Sequence, residues 1–158
     1  MLYALLKTVH LLSIVAWVGG MFFTLYCLRP AAAALDGPVR VRLMHATLSR
    51  FFKVVLIAAG LVLATGGWMM GLAAKAAQQT GGNFNMPLDW AVMAVLGLLM
   101  MAIFGHIRFV LFKRLDRATQ TQAWPAGGQA LGSIRSWVLV NLWLGIAIVV
   151  VVRLGAVS

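Results

Sequence analysis

Four stretches of the 158-residue chain are apolar almost without interruption, roughly residues 2–28, 54–74, 88–112 and 134–156. Each reaches the ~20 residues that a helix rising ~1.5 Å per residue needs to cross a ~30 Å hydrocarbon core. Lipid offers the backbone no hydrogen-bond partners, so runs of this length predict membrane-spanning α-helices. The polar intervals predict the connections. "RPAAAALDGPVRVRL" (29–43) reads as a linker broken by Pro30 and Pro38, and the amphipathic "RLMHATLSRFFK" (42–53) predicts that the second helix starts near Val41, ahead of its span. "KAAQQTGGNFNMP" (75–87) carries Gly81-Gly82 for a turn and Pro87 for the first turn of the third helix. "DRATQTQAWPAGGQ" (116–129) is the last connection. The expected fold class is all-α, an integral membrane four-helix bundle forming a single transmembrane domain over residues 1–158.

The first span can be read face by face, because a seven-residue step returns to nearly the same side of a helix. Tyr3, His10, Trp17 and Thr24 fall on one line, and Leu6, Ser13, Gly20 and Cys27 on its neighbour. Leu5, Val9, Leu12, Ala16 and Phe23 form the opposite, lipid-facing side. His10 is therefore expected inside the bundle, with Gly19 and Gly20 allowing close approach of another helix. Lys7 can snorkel to the headgroups.

Composition agrees with lipid as the solvent: 63% of residues are hydrophobic, 10% charged, and mean hydropathy is +0.96. The net charge of +10 would suggest nucleic acid, but its distribution suggests a membrane. Arg29, Arg40, Arg42, Arg50, Lys53, Arg108, Lys113, Arg114, Arg117 and Arg135 surround the first and third connections, against Lys7, Lys75 and Arg153 elsewhere. Short basic loops stay cytoplasmic, which places both termini on the outer side of the membrane and lets the basic rim attract anionic headgroups. No motif supports a nucleic-acid partner. The first span lacks a basic lead-in and is too long for a cleaved signal, so it reads as a retained anchor. Cys27 is the single cysteine and Asp36, Asp89 and Asp116 the only acids, which excludes an intrachain disulfide and a carboxylate relay.

Depth restricts which polar groups can meet. Counted from the outer boundary, His10 lies ~10 Å deep, Met69 and Met70 ~8–9 Å and Met93 ~8 Å. His106 lies ~10 Å from the inner boundary, outside that layer. Imidazole with thioether suits a haem iron or Cu(I). The leading expectation is haem b on His10, with Met69, Met70 or Met93 as the second ligand and Trp17 and Ser13 beside it. Gly19, Gly20, Gly66, Gly67 and Gly97 would open the cavity. The role would be electron transfer or haem-linked redox chemistry with a membrane or periplasmic redox partner. The alternative is copper(I) transport or homeostasis, which needs ligands at successive depths: His10, Met93, Met100 or Met101, His106, then Cys27. A third reading is a metal-free accessory subunit of a larger membrane complex or homo-oligomer. In it, His10 serves as an interhelical hydrogen-bonding residue and the methionines as packing.

Several segments resemble a known family. "KTVHLLSIVAWVGGMFF", "RFF" (50–52), "FGHIRF" (104–109), "AWPAGGQALGSIRS" (123–136) and "NLWLG" (141–145) are similar in order to the copper-resistance-D-like (CopD) inner-membrane proteins. The first of them also resembles the first helix of HemJ-type protoporphyrinogen oxidases, which implies haem b held by His and Met. The CopD resemblance implies copper. Where proteins of that type carry a histidine near the outer start of the third helix, this chain reads "MPLDWAVM". An outer site would then depend on Met93, Met69 or Met70 beside His10.

Overall fold

The computed structural model describes residues 1–82 and 84–155, and among these every regular element is helical. The end of the fourth expected span, at 156, lies outside the described residues. In order the elements are α1 (Leu2–Phe23), a π-helical turn (Thr24–Leu28), α2 (Arg29–Ala33), α3 (Gly37–Gln79), α4 (Leu88–His106), a second π-helical turn (Ile107–Leu111), α5 (Phe112–Gln120) and α6 (Trp124–Gly155). They join into four continuous rods long and apolar enough to cross a membrane: Leu2–Ala33, Gly37–Gln79, Leu88–Gln120 and Trp124–Leu154. The protein is thus an all-helical membrane protein with four long apolar helices. Each rod outlasts its apolar run, and α3, at 43 residues, extends ~65 Å, about twice the hydrocarbon thickness.

Helix ends follow local chemistry. Pro38 lies in the first turn of α3 after Asp36, and Pro87 is the residue just ahead of α4. α3 stops at Gly81, whose φ of 74° lets Gly82 N–H reach the Ala77 carbonyl (3.0 Å) and Gly81 N–H the Gln78 carbonyl (3.1 Å). The same closure ends α5, but the left-handed residue there is Gln122, with φ 55°.

Pro30 does not end the first rod as expected. Proline has no N–H and its ring crowds the carbonyl four residues earlier. The chain widens into a π turn in which Arg29 N–H bonds to the Thr24 carbonyl, and the helix then continues to Ala33. No proline accounts for the second π turn.

α1 packs chiefly on α3 and α4 chiefly on α6. Cross-contacts such as His10–Thr65 and Gly20–Phe51 run in reverse order along α1 and α3, so these neighbours are antiparallel. Residues 2, 79, 88 and 155 therefore share one end, the terminal end, and the connections at 34–36 and 121–123 share the other. A Cβ on Gly20 would run into the Phe51 ring, whereas Gly19 has open space around it, so only one of this pair permits close approach. At Gly145 a Cβ would lie 3.0 Å from Val18 and 3.3 Å from the Met100 methyl.

The core is concentrated toward the connection end. Phe52 meets Phe104 (5.8 Å) and Phe112 (5.3 Å) edge to face, and Phe104 meets Trp17 (5.8 Å). His10 on α1, Thr65 on α3, Met100 on α4 and Gly145 on α6 are the last buried residues in the direction of the terminal end. Beyond them every described side chain is half-buried or exposed. The bundle is closely packed below this boundary and loosely packed above it.

Candidate metal site

His10 sits on that boundary, 8% exposed, with Ser13 (6%) and Trp17 (4%) on the same buried stripe of α1. Opposite, Thr65 of α3 is 5% exposed and its Oγ1 lies 2.9 Å from His10 Nδ1. A hydroxyl has one proton to give. Thr65 donates it to the Leu61 carbonyl within its own helix, so its oxygen accepts from His10 Nδ1–H. The Val62 carbonyl, a pure acceptor, also faces the ring. This wall of α3 thus holds the neutral imidazole with its proton on Nδ1 and its lone pair on Nε2. Gly66 makes the approach possible, since a Cβ there would be 3.3 Å from His10 Cε1.

Among the described residues Nε2 has no hydrogen-bond partner. Among the described residues only Arg108 Nε and Asn141 Oδ1 are both fully buried and unpartnered, so Nε2 retains accessible surface. A histidine that donates one ring N–H to a fixed acceptor and presents the other nitrogen has the arrangement of a metal-ligating imidazole.

The thioethers are distributed unevenly around it. Met69 lies one turn beyond Thr65 on the same face of α3 and Met70 beside it, both half-buried in the loosely packed half. Met93 is half-buried too, but on α4, in the other helix pair. Met100 is buried at 4% and Met101 is half-buried.

Other candidates are placed elsewhere. Ser13 does not serve His10: its hydroxyl donates to the Val9 carbonyl at 2.8 Å. His106 is exposed on the bundle surface, its ring 5.3 Å from Trp137, and Cys27 is exposed as well. The two inner rungs of the expected ladder therefore face away from the interior. Among the described residues no three His, Cys, Asp or Glu side chains gather where a metal could be held. The donor set at His10 is one imidazole with thioethers on the neighbouring helices. That set fits a soft cation satisfied by few ligands.

Two groups were not foreseen from the sequence. Thr65 looked like one more small residue in an apolar run. Asn141 of α6 is 1% exposed in the middle of a span, its carboxamide oxygen unpartnered. A lone Asn in an apolar run was the available signal, because polar side chains within a span normally face the bundle interior. His45, half-buried, stacks on Phe112 (5.2 Å, 5°) and bonds through Nε2 to Asp116 Oδ1 at 2.9 Å, tying α3 to α5.

These features define a class: a polytopic helical membrane protein with one partnered histidine at the boundary between its packed and open halves. The model of the family described as Copper resistance protein D matches residues 45–154, well over half of the chain. The chain belongs to that copper-resistance family. The match includes Thr65, Met69, Met70, Met93 and Asn141 but begins after α1, so His10 lies outside it. Neither the curated proteins nor the solved structures gave a match.

Proposed function

We propose that this protein handles copper(I) within the bacterial inner membrane, with His10 Nε2 as its first interior ligand and Met69 or Met70 as the thioether partner. The observation that carries the reading is the Thr65-held imidazole, whose free nitrogen borders the open half of a copper-resistance-family bundle. Copper is the cargo here. The single-imidazole, few-thioether donor set suits brief binding during passage or delivery rather than storage. The buried Met100 is the candidate for a deeper contact, and Met93 of the other helix pair lies at about the depth of His10.

The basic asymmetry supports a cytoplasmic connection end and a periplasmic terminal end, which would open the loose half to the periplasm. An alkaline-phosphatase reporter after Ser158 should then be active, and an inactive one would reverse the direction of entry.

Haem b on His10 gains no comparable support. The family points to copper. One preparation separates the readings. Purified protein loaded with Cu(I) should bind about one equivalent, with nitrogen and sulfur scatterers in its X-ray absorption spectrum, and His10→Ala should lose the nitrogen contribution. A Soret band after expression with ample haem, with no Cu(I) bound, would overturn the proposal.

A further inference from the structure

At the connection end, opposite His10, α2, the start of α3 and the start of α6 enclose a cleft of ≈ 210 Å³. Arg29 and Arg40 line it together with Ala32, Met44, Gly128 and Leu131. Arg29 is half-buried and held in place by an Nη1–H bond to the Leu131 carbonyl at 3.5 Å. Arg40 lines the cleft with it and Arg135 lines the adjoining crevice, so both are its charged neighbours. No carboxylate balances them. Asp116 is bound by His45, and Asp36, one turn before Arg40, is exposed and makes no ion pair. Among the described residues no arginine pairs with an acid.

Like charges gathered in a partly buried cleft repel one another, and among the described residues no acid offsets Arg29 and Arg40 where they line it together. Guanidinium groups match phosphate oxygens in charge and in planar donor geometry. The volume is below the ~300–1,000 Å³ of pockets that enclose drug-sized ligands, which suits one phosphate group better than a nucleotide. The cleft also continues inward. Arg29, Met44 and Leu131 are shared with a narrower crevice whose walls include Leu25, Leu48, Ile134 and Val138, with Arg135 at its rim. That crevice, at ≈ 20 Å³, is too small for an acyl chain, but the cleft itself lies at the end of four helices apolar enough to cross a membrane, the level of lipid headgroups.

We propose that this cleft is a phosphate-binding site, occupied by the headgroup of an anionic phospholipid. The site is separate from His10, so its failure would leave the copper reading untouched.

The test uses the full chain in neutral detergent, titrated with phosphatidylglycerol, phosphatidylcholine or inorganic phosphate, with adducts counted by native mass spectrometry. Phosphatidylglycerol should give one tight adduct. Arg40 makes no side-chain hydrogen bond among the described residues, and Arg40→Gln should weaken the adduct by at least about tenfold, the range of one charge-assisted hydrogen bond. Arg29→Gln should do the same, and the exposed Arg114→Gln on α5 should leave it unchanged. Phosphatidylcholine should bind more weakly, since its headgroup carries no net charge. Arginine-dependent binding of inorganic phosphate without the lipid would keep the phosphate site and replace the lipid as its source. Equal adducts in wild type and the Arg29→Gln/Arg40→Gln double variant, or no binding of either probe, would overturn the proposal.

Discussion

Thr65→Val removes one hydroxyl and keeps the branched shape of the side chain, so its effects trace to the hydrogen bond with His10. Both partners are buried, and the lost acceptor leaves Nδ1–H without its hydroxyl partner, though the Val62 carbonyl still faces the ring. An orphaned buried donor costs ~1–3 kcal/mol, and measured intramembrane hydrogen bonds average ~0.6 kcal/mol. With one acceptor remaining, stability should fall by about 1 kcal/mol. The effect on copper should be larger. Without Thr65 the imidazole is free to turn and to carry its proton on either nitrogen. Loss of such an outer partner typically lowers metal affinity ~10–100-fold, or ~1.4–2.8 kcal/mol. Competition against a chromophoric Cu(I) chelator measures affinity, and reversible unfolding in mixed micelles measures stability. Thr65→Ser should restore both. If Thr65→Val binds Cu(I) as tightly as wild type while His10→Ala does not, Thr65 has no part in presenting Nε2.

Other substitutions test the packing. Asn141→Leu exchanges a buried, unpartnered carboxamide for an apolar side chain of similar size and should stabilise the bundle by ~1–3 kcal/mol; a loss of stability in the same unfolding assay would mean that Oδ1 has a partner, such as a buried water. Gly20→Ala should cost ~1–3 kcal/mol because its Cβ meets the Phe51 ring, whereas Gly19→Ala, with open space, should be neutral or slightly stabilising; equal effects would place the α1–α3 contact elsewhere. Gln122→Gly relieves a left-handed backbone at a helix end and should raise stability by ~0.5–1 kcal/mol, read as an increase in Tm.

Much of the architecture was legible along the chain because a bilayer imposes a length and a polarity that few segments satisfy. The four apolar runs marked the four rods, Gly81-Gly82 marked the end of α3, and the mixed character of α1 marked the buried stripe with His10, Ser13 and Trp17. Such a stripe can be read only where the faces of a helix differ. α4 is apolar all round, so nothing in its sequence indicated that Met100 turns inward while His106 turns toward lipid. Pro30 was legible as a helix breaker, but whether the chain breaks or widens into a π turn depends on how the following residues pack. The partner of His10 is 55 positions away and is one threonine in an apolar run, visible only once α3 lies antiparallel against α1. The grouping of Arg29, Arg40 and Arg135 has the same origin. Spacing along one helix orders side chains around its own axis, whereas the groups that meet across an interface are decided by how helices from distant parts of the chain pack together.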